Sequence, residues 1–412
     1  MKKHRWWIFK MVQLPQIMRN IVLILTATSV CILLSIFYAS NKPFSKVYHL
    51  FNSKKDVFKL AKQLNSERVF KAQQYINGLN KTKQPNYDNR PELAIVIVTV
   101  KRKAYDASSL GYVLQSIAAT HKLFVNDLVF PKKTMMICNV DLDPQNYTEI
   151  VNLKPFIPVV ERYGASSLPI TINRSRINMY AKRRYNSKYD KETVDYMYCL
   201  ESAHSLGASY VLLIEDDALP REDTLEVLKN KLLYLKSKNK ERYSYIKLYY
   251  PQRWQGYAYE STRILEIISV GCVGAGLVVA IQFITCRTKS YFIQVMYFLC
   301  GAWLFVTAAL IIARQNVFEF HRISKYLYSL RSSPGCCTQA MLYTRQFIPA
   351  LIDFLSVKHK ALHTDLAIYN FTNVTGIPAY QIEPNLFYHV GMYTSLSSSD
   401  KHKNAEEFIF DA

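Results

Sequence analysis

The sequence predicts an α/β domain that is interrupted by a pair of membrane-spanning helices and preceded by a membrane anchor. Three observations predict this class: buried-strand patterns alternate with helical ones, two apolar blocks of span length adjoin in mid-chain, and a third follows a basic N-terminus. The 412 residues include only 12 Gly and 15 Pro, which excludes collagen-like and low-complexity chains. Half of the residues are apolar, which excludes a mostly disordered chain.

The first apolar block covers residues 21–38, which contain no charged side chain and follow a basic tail. Its 18 residues would rise about 27 Å as a helix, enough for a thin bilayer. Basic flanks stay in the cytosol, so we expect a cytosolic tail at 1–20, a signal anchor at 21–39 and a lumenal helical stem at 40–90. A cleaved signal peptide is the alternative, but no small-x-small cleavage site follows the block.

The second and third apolar blocks, residues 264–286 and 291–313, are separated only by residues 287–290, which include two basic side chains. Positive charge favours a cytosolic loop at 287–290, so the flanking segments 91–263 and 314–412 are both predicted to be lumenal. The alternative is a buried hairpin in a soluble protein. Small residues in the second block permit close contact with a partner helix: Gly271, Gly274, Ala275 and Gly276.

Sequons and cysteines fall in the segments that this topology places in the lumen. The five Asn-x-Ser/Thr sequons, which we predict as candidate glycosylation sites, are Asn80, Asn146, Asn173, Asn370 and Asn373. The four candidate disulfide cysteines are Cys138, Cys199, Cys336 and Cys337, and four cysteines allow three pairings. A bridge between Cys138 and Cys199 would leave the adjacent pair either bonded to each other or as two buried thiols.

Continuous β-branched runs, the pattern of strands covered on both faces, alternate with helical patterns between residues 91 and 260. We infer that residues 314–412 complete this α/β domain, so that the apolar hairpin is an insertion in it. The predicted strands are 93–100, 134–140, 210–214 and 245–250, and the predicted helices are 108–124, 192–206 and 221–238, after a helical stretch at 52–84.

Three acidic residues, Glu215, Asp216 and Asp217, directly follow the strand predicted at 210–214. Ligands of open α/β sheets bind beyond the carboxyl ends of the strands, and adjacent carboxylates there are tolerable beside a cation. We predict that Asp217 holds Mn²⁺ or Mg²⁺, that Asp216 supports the metal and that Glu215 faces the ribose of a sugar nucleotide. The alternative is a solvated acidic turn that caps the next helix.

This acidic triplet, in a lumenal α/β domain behind a single anchor, resembles glycosyltransferases of the A type, with their Rossmann-type nucleotide-diphospho-sugar (GT-A) fold. The inserted hairpin narrows the resemblance to the Golgi family that adds N-acetylgalactosamine (GalNAc) to glycosylphosphatidylinositol (GPI) anchors. The resemblance implies UDP-GalNAc as donor, Mn²⁺ or Mg²⁺, GPI-anchored proteins as acceptors and a multi-pass Golgi membrane protein. The segments that resemble the family are residues 94–102, 214–220, 247–254, 334–340 and 383–391.

The resemblance also assigns residues to roles. Thr99 and Arg102 would lie beside the uridine nucleotide, although Arg102 would equally pair with a surface acid. His389 would contact the metal or the diphosphate, and a packed core histidine is the alternative. Trp254, with Tyr257 near it, would stack on a sugar face, or else pack above the membrane.

An inverting transferase needs a carboxylate, separate from the metal ligands, that takes the proton of the acceptor hydroxyl. We predict Asp365 for this role, with Asp353 and Glu383 as competitors. The alternative is that Asp365 only caps the helix that it opens.

Two other functions remain open on the sequence alone. One is a transferase that adds N-acetylglucosamine to N-glycans, and the other is a non-enzymatic membrane protein that binds lipids or cargo. We expect no nucleic-acid partner.

Overall fold

The computed structural model describes residue 22 and residues 26–79, 90–102, 111–164, 174–286, 291–358, 362–393 and 404–410. The predicted cytosolic tail 1–20, the predicted cytosolic loop 287–290 and the sequons Asn80 and Asn173 lie outside the described residues. The chain divides into two compact units. The helical unit comprises Met1–Val57 and Gln252–Phe320, and the sheet unit comprises Phe58–Pro251 and His321–Ala412.

Helices and strands alternate along much of the chain. The helices are α1 (Thr26–Ala39), α2 (Tyr48–Phe51), α3 (Lys54–Asn77), α4 (Tyr112–Asn126), α5 (Thr148–Val151), α6 (Arg174–Ala181), α7 (Lys188–His204), α8 (Thr224–Ser237), α9 (Ser261–Cys286), α10 (Tyr291–Ile312), α11 (Arg314–Phe318), α12 (Ile348–Lys358) and α13 (Thr364–Thr375). The strands are β1 (Leu93–Thr99), β2 (Lys133–Asn139), β3 (Val159–Glu161), β4 (Tyr210–Glu215), β5 (Ala218–Pro220), β6 (Tyr245–Lys247), β7 (Ser329–Ser332), β8 (Ala340–Thr344), β9 (Tyr380–Glu383) and β10 (Phe387–His389).

The sheet unit is built on an eight-stranded mixed sheet with the order β3-β2-β1-β4-β8-β6-β9-β7. The first four strands are parallel, β8 runs antiparallel to both β4 and β6, and β7 runs antiparallel to β9. β5 and β10 form a separate antiparallel pair. The predicted α/β class is confirmed, and strands from after the hairpin complete the sheet.

Helices cover both faces of this sheet. Successive side chains of a strand point to opposite faces, and in these strands both sets are apolar. In β1, Ile95 and Ile97 face one core, together with α4 and α8. Ala94 and Val96 face the other core, together with α7, α12 and α13. A continuous β-branched run such as β1 is stable only when both of its faces are buried in this way.

The order of strands β3-β2-β1-β4 creates a switch point between β1 and β4. From β1 the chain proceeds outward to β2 and β3, then returns to place β4 on the other side of β1. In register, Val98 of β1 lies opposite Glu215 of β4. The two strands therefore end side by side, which is where doubly wound sheets bind their ligands.

A disulfide joins Cys138 in β2 to Cys199 in α7, with 5.7 Å between their Cα atoms. Both cysteines are fully buried in the core between the sheet and α7. Cys336 and Cys337 hold no disulfide; their thiols hydrogen bond to each other. The adjacent pair therefore remains as two thiols, half-buried and not fully buried, and the assignment of Cys336 and Cys337 as disulfide cysteines is not reproduced.

Among the described residues, two helices are long and apolar enough to span a membrane, Ser261–Ile284 within α9 and Tyr291–Ile312, and both belong to the helical unit. They pack closely: a Cβ on Gly274 would lie 2.1 Å from the Phe305 ring, and one on Gly301 would lie 3.0 Å from the Cα of Ala275. A Cβ on Gly276 would meet nothing within 4 Å, so this predicted contact glycine faces away. The adjacent apolar helices form the hairpin that the sequence predicted, and they indicate a membrane protein.

A buried ion pair closes the hairpin. Arg314, the first residue of α11, donates to both carboxylate oxygens of Glu266 in α9, at 2.6 and 3.2 Å. Arg314 also donates to the carbonyl oxygen of Gln255. The one acid inside the second apolar block thus has a partner contributed by the other end of the hairpin.

Candidate active site

Asp217 and His389 are brought together by the small β5–β10 sheet. β5 begins one residue after Asp217, and it pairs with β10 so that Ala218 lies opposite His389. The backbone N–H of Val390 donates to the carbonyl oxygen of Asp217 at 2.7 Å. As a result His389 Nε2 lies 3.3 Å from Asp217 Oδ2, although 172 positions separate them in the chain.

Asp216 is held at the end of β1. Its Oδ2 atom accepts from the Thr99 hydroxyl at 2.7 Å and from the backbone N–H of Val100 at 3.4 Å. Tyr147 lies behind Thr99, with its hydroxyl 2.9 Å from Thr99 Oγ1. Since Thr99 uses its proton on Asp216, the hydroxyl of Tyr147 donates to Thr99. Burial raises the pKa of Tyr147 well above its usual value, and the charge of Asp216 raises it further, so this hydroxyl stays protonated.

Arg102 links both aspartates. One terminal nitrogen of its guanidinium lies 2.6 Å from Asp216 Oδ1 and 2.9 Å from Asp217 Oδ2. The other terminal nitrogen donates to the carbonyl oxygen of Tyr393 at 3.1 Å, and the guanidinium lies 5.2 Å from the centre of the Tyr112 ring. Burial alone would lower the pKa of Arg102, but the two carboxylates outweigh it and raise the pKa above its usual value. Arg102 is therefore a permanent cation in this site.

Glu215 turns to the other face of the sheet. Its Oε1 atom accepts from the Thr338 hydroxyl at 2.6 Å. Burial raises the pKa of Glu215 to about 8, and the nearby charge of Asp217 adds to this. The acidic triplet is therefore divided: Asp216 and Asp217 share Arg102, whereas Glu215 joins the loop that contains Thr338.

Asp365, in the first turn of α13, contacts the same loop as Glu215. Its two carboxylate oxygens accept from the backbone N–H of Cys337 at 3.0 Å and of Leu366 at 2.7 Å. Glu192 of α7 is near it: burial raises the pKa of Glu192, and the charge of Asp365 raises it further. Glu215 and Asp365 thus bind the neighbouring residues Thr338 and Cys337, and Glu192 lies close to Asp365. The sequence did not predict Glu192 as a site residue, because it is one of several charged residues on a helix and no motif surrounds it.

His389 is packed between aromatic rings. Its ring lies 5.7 Å from that of Tyr249 and 5.9 Å from that of Phe408, centre to centre. Phe408 lies in the C-terminal 3-10 helix Ala405–Phe408 and is fully buried. Gly391 lies two residues after His389 in the chain. A Cβ at this position would lie 2.0 Å from Asp217 Oδ2 and 2.8 Å from His389 Nε2. Only glycine fits at this position without displacing those two side chains.

Other residues that the sequence singled out lie elsewhere. Trp254 is in the 3-10 helix Gln252–Trp254 of the helical unit, so its proposed sugar contact stays a prediction. Asp353 is exposed on α12, and Glu383 is fully buried with Arg331 Nε 3.1 Å from its Oε2. The sequons Asn146 and Asn373 are exposed and Asn370 is half-buried.

The position of these acids at the switch point between β1 and β4 suits a metal-bound diphosphate, and the part of the chain that the structure describes includes two span-length apolar helices. The class of protein that fits the fold and the site is a membrane-bound glycosyltransferase that uses a nucleotide sugar. The family model described as GPI-N-acetylgalactosamine transferase PGAP4 matches residues 93–388. That match covers well over half of the chain, and the chain belongs to this family.

Family membership confirms the recognition, the enzyme class and the function that the sequence predicted: a glycosyltransferase that transfers GalNAc to GPI. The family name implies UDP-GalNAc as donor and GPI-anchored substrates as acceptors. It disagrees with both alternatives, the N-glycan transferase and the non-enzymatic binding protein.

A solved structure also aligns with the chain. It is the mannosyltransferase PcManGT from Pyrobaculum calidifontis, in complex with GDP-mannose and Mn²⁺, at 11% sequence identity. The alignment covers 77% of this chain and 98% of that one, with a TM-score of 0.23. A likeness at that score supports no conclusion about fold or site.

Proposed function

We propose that this transferase uses UDP-GalNAc and a divalent metal ion, acts on a mannose of the GPI anchor and inverts the anomeric configuration. The observation that supports this most is the connected group Thr99, Arg102, Asp216, Asp217 and His389 at the switch point of the sheet. The group combines acids, a fixed cation and an imidazole nitrogen in one buried place, which suits a metal and a diphosphate together.

Asp217 and His389 suit a divalent cation. Their facing atoms are 3.3 Å apart, and Gly391 leaves both unobstructed by a Cβ. Within the described ranges no group of three or more His, Cys, Asp and Glu side chains is placed to hold a metal. Asp217 and His389 would be protein ligands of the ion, and Mg²⁺ and Mn²⁺ commonly add substrate phosphates to one or two carboxylates. When bound, it would neutralise charge on the departing diphosphate.

Arg102 and Thr99 position the side chains of Asp216 and Asp217. Arg102 holds Asp216 and Asp217 in fixed positions and adds a permanent positive charge beside the proposed diphosphate site. Thr99 is only 1% exposed, and its hydroxyl lies between Tyr147 and Asp216. We therefore propose that Thr99 orients Asp216. Of the two residues predicted to contact the nucleotide, Arg102 is then the candidate.

Asp365 is our candidate for the general base. It is a separate acid from those that Arg102 binds, and backbone N–H groups fix both of its oxygens. These contacts fix the carboxylate in one orientation, from which it could take the proton of the mannose hydroxyl. Glu192 lies beside it, and its own charged form is disfavoured by burial.

The test is transfer by the purified full chain in lipid nanodiscs with a GPI-anchored acceptor and a panel of sugar nucleotides. We expect transfer only from UDP-GalNAc, loss on metal chelation, recovery with Mn²⁺ or Mg²⁺, and a β-linked product from the α-linked donor. Transfer that persists after chelation would contradict the metal proposal, and an α-linked product would contradict inversion.

Two variants separate the proposed roles. Asp217→Asn should abolish transfer and metal-supported UDP binding, whereas Asp365→Asn should abolish transfer and leave UDP binding intact. Asp353→Asn, on the exposed face of α12, is the matched control and should behave as the wild type. Normal transfer by Asp365→Asn would remove Asp365 as the base and direct attention to Glu192.

We also propose that the chain resides in the Golgi membrane as a multi-pass protein, with the N-terminus cytosolic and residues 40–263 and 314–412 lumenal. The basic residues of the tail and of the 287–290 loop support this orientation. Protease protection of sealed Golgi vesicles tests it: an epitope after residue 393 should be protected and one at the N-terminus should be cleaved.

A further inference from the structure

A short stretch of the sheet unit exposes three large apolar side chains. Ile323 is 80% exposed, Tyr326 71% and Leu327 50%. We call these three residues the apolar ridge. Such exposure within five consecutive positions is unusual for a protein surface that faces only water, and marks a site of contact with a partner or a membrane.

The ridge is held firmly to the rest of the sheet unit. Arg322 donates to the carbonyl oxygen of Asn385 at 2.7 Å, and Lys325 Nζ lies 2.6 Å from Glu226 Oε1. The basic residues beside the ridge thus bind the protein itself, while the apolar side chains point outward. A tyrosine among aliphatic residues with flanking Arg and Lys is the composition of segments that lie in a bilayer interface.

The ridge lies at the same edge of the sheet as the acidic site. Glu226, which binds Lys325, is in the first turn of α8, the helix that follows β5 and Asp217. Asn385, which binds Arg322, is two residues before β10, the strand that contains His389. A surface in contact with the ridge would therefore face the edge of the sheet where the acidic site lies.

The chain also limits how far the ridge is from the hairpin. Between Ile312, the last residue of α10, and Ile323 lie α11 and the 3-10 helix Glu319–Ile323. At about 1.5 and 2 Å per residue these helices make a chain path of about 20 Å. The chain is therefore long enough for the ridge to contact a bilayer that α10 spans.

We propose that the apolar ridge inserts into the interfacial layer of the bilayer that α9 and α10 span. This contact, in addition to the spanning helices, would hold the acidic edge of the sheet towards lipid-anchored acceptors. Because Arg322 and Lys325 are paired within the protein, the contact depends on apolar area and not on anionic lipid. The proposal is independent of the metal and of the donor.

Quenching by brominated lipid tests the contact directly. The full chain with Tyr326→Trp is placed in phosphatidylcholine nanodiscs with or without bromine on the upper acyl carbons, and the emission of the wild-type tryptophans is subtracted. We expect the added emission to fall about twofold or more in brominated discs. Leu128→Trp is the control, because Leu128 is 91% exposed, belongs to the same unit and lies at the opposite edge of the sheet, before β2.

Equal emission from Tyr326→Trp in both kinds of disc would overturn the proposal, and so would equal quenching of the two variants. The first result would also be obtained if a second copy of the chain covered the ridge. Leu327→Trp serves as a second probe if Tyr326→Trp fails to incorporate as a monodisperse protein.

Activity provides an independent readout. The double variant Ile323→Glu with Leu327→Glu should lose most transfer to GPI-anchored protein in a bilayer, and should keep wild-type UDP-GalNAc hydrolysis in water. Leu128→Glu should change neither rate. Undiminished transfer by the double variant would contradict the proposal, and parallel loss of hydrolysis would show that the ridge is needed only for folding.

Discussion

Asp216 and Asp217 share one guanidinium nitrogen of Arg102, and each has a further partner from a distant part of the chain. Asp216 is bound by Thr99 at the end of β1, and Asp217 is beside His389 at the end of β10. The role of each acid thus depends on individual neighbouring atoms, and substitutions that change one such atom test the roles separately.

Thr99→Val removes the hydroxyl that donates to Asp216 and accepts from Tyr147. Leaving buried polar groups without a hydrogen bond costs about 1–3 kcal/mol, so we expect kcat/KM for transfer to fall about tenfold or more. Steady-state kinetics checks this, and Thr99→Ser should restore most of the rate. Wild-type kinetics in the valine variant would show that the hydroxyl does not orient Asp216.

Gly391→Ala introduces a Cβ that would lie 2.0 Å from Asp217 Oδ2. Since the two side chains must move apart, we expect a loss of transfer on the order of a hundredfold, the scale of a 1 Å misplacement in an active site. Gly78→Ala is the control, because a Cβ there makes only ordinary contacts, the nearest at 3.4 Å. Equal activity of the two alanine variants would show that the close approach of Gly391 to Asp217 and His389 is not needed for transfer.

At the scale of elements, the site depends on the pairing of β5 with β10 and on the C-terminal 3-10 helix. That helix places Phe408 against His389, and Phe410 stacks on Tyr388 at 4.2 Å, centre to centre. Arg68 of α3 secures Phe410 through its carbonyl oxygen and its ring. The C-terminal segment is therefore a wall of the proposed metal site.

Phe408→Ala removes the ring that supports one side of His389. We expect weaker Mn²⁺-supported binding of UDP, because the imidazole gains freedom to turn away from Asp217, while Phe408→Leu should retain most of the affinity. Calorimetric titration of UDP measures this, with circular dichroism as a check that the fold persists. Identical affinity in the alanine and leucine variants would show that Phe408 does not position His389.

The sequence predicted the central elements well where the pattern is local. β1 and β4 follow from continuous apolar runs, and the observed strands Leu93–Thr99 and Tyr210–Glu215 differ from the predictions by one residue. The helix predicted at 192–206 lies within α7, and Gly207, three residues after its observed end, has a left-handed φ of 74°. The contact of Asp216 with Thr99 was also within reach, since adjacent parallel strands end at one edge.

The pairing of strands that are distant in the chain could not be predicted from the sequence. β8 lies between β4 and β6 in the sheet, and β10 pairs with β5. Both β8 and β10 are short strands that follow the hairpin in the chain, so their partners are distant in sequence. No spacing connects His389 with Asp217, and the sequon that contains Tyr147 gives no sign of its contact with Thr99. The predicted strand at 245–250 is also shorter in the structure, Tyr245–Lys247, because pairing with β8 ends there.

At the scale of the whole molecule, one chain contains a sheet unit with the proposed catalytic site and a helical unit with two span-length helices. The sheet unit is formed from segments on both sides of the hairpin. A GPI glycan lies near the bilayer surface, so spanning helices within the chain would restrict the site to that surface and reduce the entropy cost of meeting the acceptor.

Replacing residues 264–313 with a short soluble loop tests this. We expect UDP-GalNAc hydrolysis to persist in part, because the proposed donor residues are in the sheet unit, and transfer to anchored protein to be lost. Both rates are measured on the same preparation. Equal loss of the two would indicate that the hairpin is required only for the fold.

The central claim is that the acids and the histidine at the switch point hold the donor diphosphate through a metal. Titration of UDP into the purified full chain, with and without Mn²⁺, tests it most directly in the wild type and in Asp217→Asn. We predict tight binding by the wild type only with Mn²⁺ and no metal enhancement in the variant. Metal-independent binding of equal strength in both proteins would contradict the claim.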